Sequence, residues 1–180
     1  SELANQMNIV EQKNKEITSS ITYAKRIQVA ILPSEELISS YLKEFFIFYK
    51  ARDIVSGDFY WFHPLNQHEV LFAAVDCTGH GVPGAMVSVI CNNALNRAVR
   101  EFKITQPSAI LDKVTELVKH TFEKSEERVL DGMDISLCAF NLKTRMLEFA
   151  GANNALYIIT KNKDKFTEFK DNRTVVDEKS

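Results

Sequence analysis

The sequence predicts an α+β fold: an antiparallel β-sandwich with helices packed on its outer faces, preceded by a long N-terminal helix. Three observations lead there. Residues 1–32 contain neither glycine nor proline and keep one apolar period throughout. The chain then orders itself as strand-like segments, a pair of helical segments and strand-like segments again, which suits antiparallel sheets covered by helices. Its 180 residues, 45% of them apolar and 10% aromatic, are enough for one hydrophobic core.

The opening helix should run to Pro33. Leu3, Met7, Val10, Asn14, Ile17, Ile21, Ala24, Gln28 and Ile31 step by four and three in alternation, which is a heptad repeat. Leu3, Val10, Ile17, Ala24 and Ile31 take the d positions; Met7, Asn14, Ile21 and Gln28 take the a positions. Asn14 in such a seam favours a two-stranded parallel coil, because each amide can bond its twin. Leu3, Met7, Val10, Asn14, Ile17 and Ile21 are therefore the candidate dimerisation residues, against the alternative of a single amphipathic helix lying on its own domain. Past Ile21 a second face, Tyr23, Ile27 and Ala30, is also apolar and is expected to dock on the adjoining domain. The boundary falls after Pro33, giving a linker helix over 1–33 and a domain over 34–180.

A short polar, helical connection follows Pro33. FFIFYKA (45–51), GDFYWF (57–62) and EVLFAAVD (69–76) read as a three-strand meander. From Val82 to about Phe102 apolar positions recur at helical spacing, and Pro107 opens a second helix through Ile110, Val114 and Val118. MDISLCAFNL (133–142), RMLEFAGA (145–152), ALYIIT (155–160) and KFTEF (165–169) return to strands.

Twenty-two basic against 24 acidic side chains, a net charge of −2, leave no footprint of a general nucleic-acid binder. Cys77, Cys91 and Cys138 are odd in number and form no zinc-spaced pair, so they read as reduced, buried thiols of a cytoplasmic protein. No apolar run approaches the roughly 18 to 20 residues of a membrane span, and no signal-peptide pattern opens the chain. A membrane or sensor domain of the natural protein would lie outside this stretch.

Chemistry concentrates around two aspartates. Asp58 starts one strand after a glycine, and Asp76 ends another before Gly79, Gly81 and Gly84, half of the chain's six glycines. If the strands are neighbours, both carboxylates meet at one sheet edge. Close anionic oxygens repel unless a proton or a cation holds them, and oxygen-only ligation suits Mg²⁺ or Mn²⁺. The glycines would let backbone amides and carbonyls approach an ion or a phosphate. Each aspartate alone also fits a turn or cap role.

The wording of these segments narrows the reading. IVSGDFYWF and VDCTGHGVPGAMVS, with ITYAKRIQVAILPS before them and DGMDISLCAFNLKTRMLEFAGANNALYII after, resemble the SpoIIE-like bacterial branch of the PPM-type (type 2C) metal-dependent serine/threonine phosphatases, over roughly residues 20–160. The resemblance implies that Asp58 and Asp76 hold a pair of Mn²⁺ or Mg²⁺ ions with the backbone carbonyl of Cys77 as a further ligand. It implies hydrolysis of phosphoserine or phosphothreonine on a protein by a metal-activated water, with no phosphoenzyme and no cysteine nucleophile. His80 is the candidate general acid for the leaving serine oxygen, or a residue that merely tolerates the turn. Arg52 either steers phosphate or is a solvated strand-end arginine. Asp131 and Asp134 are assigned turn and cap roles, and Asn153 a left-handed turn position. The substrate would be a phosphorylated protein, with an anti-sigma antagonist as the family's suggestion, and an upstream sensor would feed a homodimer.

The chain departs from the family after Ile159. No threonine- or serine-aspartate-glycine motif comes later, and the tail KDNRTVVDEKS is polar. The expectation is a phosphatase domain lacking its C-terminal strands, with weak Mn²⁺ binding and little or no turnover. The alternative is a non-catalytic, dimerising relay in which the heptad helix transmits an upstream state and the degenerate domain only binds partners.

Overall fold

The computed structural model describes residues 2–123, 131–159, 166–169 and 174–176. Helix α1, Glu2–Ala30, is unbroken, as its lack of helix breakers predicts. A short helix α2, Glu35–Ser39, follows Pro33, with the Ser34 hydroxyl accepting from the Leu37 N–H as its cap. Strands β1, Phe59–Pro64, and β2, Glu69–Cys77, form a hairpin. Helices α3, Gly81–Arg100, and α4, Pro107–Phe122, come next. The chain returns to strands β3, Met133–Asn141, β4, Leu147–Ala152, β5, Leu156–Ile159, β6, Phe166–Phe169, and β7, Thr174–Val176. Five of them form an antiparallel sheet in the order β1-β2-β3-β4-β7, and β5 pairs with β6 in a second one.

Strand alternation sends residues to two faces of the large sheet. Phe59 and Trp61 of β1, Leu71, Ala73, Val75 and Cys77 of β2, and Ile135 and Leu137 of β3 face α3 and α4, whose Val87, Cys91, Leu95, Ile110 and Val114 complete the main core. Each such aliphatic side chain, once fully buried, contributes on the order of 1.5–3 kcal/mol. The indole N–H of Trp61 donates to Asn96 Oδ1 at 3.2 Å, tying β1 to α3. On the opposite face Ile38, Phe62 and Val70 make a smaller cluster with Tyr41, Ile47 and Tyr60 packed against it. Asp58 and Asp76 continue this second face, away from the helix pair.

Four expectations are corrected. Residues 45–51 are extended but form no strand; Phe46 and Phe48 point out at 90% and 86% exposure while Ile47 and Tyr49 turn in. The alternation that suggested a strand is real, yet no neighbouring strand supplies a hydrogen-bond ladder there among the described residues, so the meander has two strands. The polar tail contributes β7, which pairs with β4 through Leu147↔Val176; its residues 170–173 and 177–180 lie outside the described residues, as do Thr160 and Lys165 of the expected strands. Asp134 is not a turn or cap residue but sits within β3, directly opposite Asp76. Finally, α1 docks through its heptad stripe. Ile21, Ala24 and Ile31 are half-buried and Gln28 is buried, whereas Tyr23, Ile27 and Ala30 stay exposed. The stripe is thus divided: Leu3, Met7, Val10, Asn14 and Ile17 face solvent, and from Ile21 onward the same face meets the domain.

Candidate metal centre

The hairpin places the two aspartates. Phe59 pairs with Val75, so Asp58, one residue ahead of the ladder, stands beside Asp76. Their carboxyl groups are within hydrogen-bonding reach. Partial burial, then a hydrogen bond to Asp76 and then the Asp76 charge hold the Asp58 carboxyl above its ordinary range. Both side chains still open to solvent, which leaves room for a ligand at the pair.

Backbone packing also crowds the residue before Asp58. A Cβ on Gly57 would lie 2.7 Å from the Gly79 carbonyl oxygen and 3.0 Å from that of Cys77, and one on Gly84 would lie 2.5 Å from Gly79 O. Three stretches of main chain therefore meet where only glycine fits, with the Cys77 carbonyl turned toward the residue that precedes Asp58. Gly79 and Gly81 have φ of +87° and +62°, the left-handed region that lets the chain leave β2 and enter α3 within three residues. Much of the glycine density is thus a packing requirement as well as a permissive surround for a ligand. Two carboxylates and a carbonyl are hard oxygen donors, the set that suits Mg²⁺ or Mn²⁺.

The surroundings separate the other candidates. His80 precedes α3 and its Nδ1 lies 3.2 Å from Asp53 Oδ2, both side chains well exposed. Arg52 is exposed and makes no ion pair among the described residues. Asp134 shares the Asp76 face, but its Oδ1 accepts from Asn153 Nδ2 at 2.8 Å. Asn153 holds φ +58°, the left-handed turn its residue type predicts. No cluster of three or more His, Cys, Asp or Glu side chains fit to hold a metal occurs among the described residues.

All three cysteines are free and buried. The Cys77 thiol is held up by its hydrogen bond with Cys91, by burial and by the neighbouring Asp76 and Asp58 charges. Burial pushes Cys138 up to about 12. A neutral, buried thiol is a poor nucleophile.

Reading from sequence missed four residues around Asp58. The buried amide of Gln28 grips Ser56. The Ser56 hydroxyl accepts from the Asp58 N–H at 3.1 Å, and Tyr49 shares a hydrogen bond with Ser56. Asp53 completes the pair with His80. A glutamine at an a position was the visible signal for the first; the others sit in a non-repetitive loop with no period to expose them.

A five-stranded antiparallel sheet with a helix pair on one face is an architecture that matches a PPM-type (PP2C) phosphatase domain. The family model for Stage II sporulation protein E (SpoIIE) matches residues 66–176. The SiaA-PP2C domain of Pseudomonas aeruginosa is similar at a TM-score of 0.79 and 30% identity, over 92% of this chain and 68% of that one. The chain belongs to the SpoIIE family. Its family-model match includes Asp76 and begins after Asp58, which the SiaA similarity supplements by reaching across most of the chain. The PP2C phosphatase domain of SpoIIE from Bacillus subtilis, with a fragment of its regulatory domain, is similar at 16% identity and a TM-score of 0.48, over 69% of this chain and 38% of that one, which is too distant to support any residue role. No curated protein matches the chain.

Proposed function

We propose that this domain hydrolyses phosphoserine or phosphothreonine in a protein substrate, with Asp58, Asp76 and the Cys77 carbonyl as the ligands of a divalent-cation site. The meeting of Asp58 and Asp76 at the sheet edge is the observation that carries the reading. Bound Mn²⁺ or Mg²⁺ would supply a water of lowered pKa and charge balance for the phosphoryl oxygens. The chain's own part is to hold the two carboxylates together, to keep backbone out of the way at Gly79 and Gly81, and to place His80 at the mouth of α3. There His80, oriented by Asp53, gives a proton to the leaving serine oxygen. Arg52, exposed in the same loop as Asp53, is the candidate to steer the phosphate.

With two acidic side chains and one carbonyl, the 180-residue chain holds Mn²⁺ weakly and turns over slowly. Residues 1–33 act as a linker from an upstream sensor, and the exposed stripe Leu3, Met7, Val10, Asn14 and Ile17 pairs with a second copy in a parallel coil. The free, buried thiols support a cytoplasmic setting; among the described residues no helix is long and apolar enough to cross a membrane. An anti-sigma antagonist is the substrate class suggested by the family resemblance.

That same exposed stripe favours a second reading, a non-catalytic dimerising relay. Mn²⁺ titration followed by thermal denaturation separates the two. Stabilisation by Mn²⁺ that disappears in Asp58→Asn and Asp76→Asn supports the phosphatase site; an unchanged melting curve in the wild-type chain removes it and leaves the relay.

A further inference from the structure

Gln28 is the one buried residue of α1, at 4% exposure, on a helix whose first nineteen residues are all exposed. Its amide is fully engaged. Oε1 accepts from the Ser56 N–H at 3.0 Å, and Nε2 donates to the Ser56 carbonyl and to Ser88 Oγ at 2.9 Å. The side chain therefore pairs with Ser56 as a neighbouring strand would, through one donor and one acceptor, and also reaches α3. Glutamine has both groups at the required reach; glutamate lacks the donor and leucine lacks both.

Ser56 is itself buried, and it stands two residues before Asp58. Its hydroxyl accepts from the Asp58 N–H, and regular strand pairing starts only at Phe59. Asp58 thus lies just outside the ladder, steadied by Gly57 against the Gly79 and Gly84 backbone on one side and by Ser56 on the other. Without Gln28, two buried backbone groups of Ser56 would lose their partners, and the loop would have to move to recover hydrogen bonds.

We propose that Gln28 is a positioning residue for Asp58: by gripping Ser56, the docked end of α1 sets where the Asp58 carboxylate stands relative to Asp76, and so how tightly the pair holds a divalent cation. The inference rests on the cation-site reading above. Because α1 is continuous from Glu2 to Ala30, anything that seats or lifts its docked end acts on Asp58 through this amide.

The test uses Mn²⁺ alone, titrated into the 180-residue chain and followed by the paramagnetic resonance of the free ion. Gln28→Ala should weaken Mn²⁺ binding roughly ten-fold or more, the usual effect of removing a group that orients a metal ligand. Ser56→Ala keeps the backbone pairing with Gln28 and removes the hydroxyl that accepts from the Asp58 N–H and shares a hydrogen bond with Tyr49; it should weaken binding in the same direction and speed hydrogen exchange at the Asp58 amide without metal. It decides the matter if Gln28→Ala does not fold. Ile38→Ala, a core truncation in the separate small cluster, should lower the melting temperature and leave Mn²⁺ affinity unchanged. Wild-type affinity in folded Gln28→Ala and Ser56→Ala, or an equal loss in Ile38→Ala, overturns the role of Gln28 while Asp76-dependent binding stands. A wild-type chain whose Mn²⁺ binding ignores Asp76→Asn overturns the cation site and this inference with it.

Discussion

Replacing Asp76 by asparagine should stabilise the metal-free protein at neutral pH and destroy its response to Mn²⁺. The structure sets the sign. Asp58 titrates above its ordinary range because of partial burial and its contact with Asp76. A carboxyl whose folded pKa is raised contributes stability that is complete below the unfolded pKa, near 4, and is lost as pH rises through the folded value. Where both groups are ionised, the two facing carboxylates come at a net cost. Two unit charges about 4 Å apart repel by about 4 kcal/mol at an effective dielectric of about 20 and by about 1 kcal/mol in water. Both groups are substantially exposed, so the water-like end applies. Asp76→Asn should accordingly gain about 1 kcal/mol at pH 7 in EDTA, a rise of about 2–4 °C for a domain of this size. The gain should shrink toward zero at pH 4. In Mn²⁺ at about 100 times Kd the wild type should gain about 2.7 kcal/mol and overtake the variant. Denaturation at pH 7 and pH 4, with EDTA or with Mn²⁺, checks all four conditions. A variant that is less stable than wild type in EDTA at pH 7, with no crossover in Mn²⁺, would refute the argument that these carboxylates face each other across a cation site.

Gly84→Ala should destabilise by about 1–3 kcal/mol, since its Cβ would meet the Gly79 carbonyl oxygen at 2.5 Å, and urea denaturation measures it. His80→Ala should lower turnover of a phosphoserine peptide about 10²-fold but that of p-nitrophenyl phosphate far less, because nitrophenolate leaves without a proton; equal losses on both would deny the general-acid role. Asn14→Ile should strengthen association through the exposed part of α1 and loosen its preference for two strands, and unchanged sedimentation would take that face out of any coil.

Much of this architecture is legible in the order of the residues. An uninterrupted apolar period announces α1, and Pro107 marks the first residue of α4, where its missing N–H has no partner to lose. EVLFAAVD places an aspartate at the close of a strand, and β2 runs one residue further, to Cys77. Residues 45–51 mislead because alternation records which side chains turn inward, and says nothing about whether a partner backbone lies alongside. β7 escapes notice because three residues in a polar tail are too few to make a pattern. For Asp134 the error is one of register: only the pairing of β2 with β3 sets it opposite Asp76.

Local preference and periodicity are properties of consecutive residues, and by themselves they determined the helices, most strands, the glycine-rich turn and the residue types from which a hard-cation site can be made. Which oxygens actually meet is a matter of long-range pairing. The tertiary structure alone decided that Asp58 faces Asp76, that His80 turns to Asp53, and that Gln28 reaches Ser56 across 28 positions of sequence. A hydrogen bond acts over about 3 Å, and only the closing of the sheet and the docking of α1 bring such distant groups within that range.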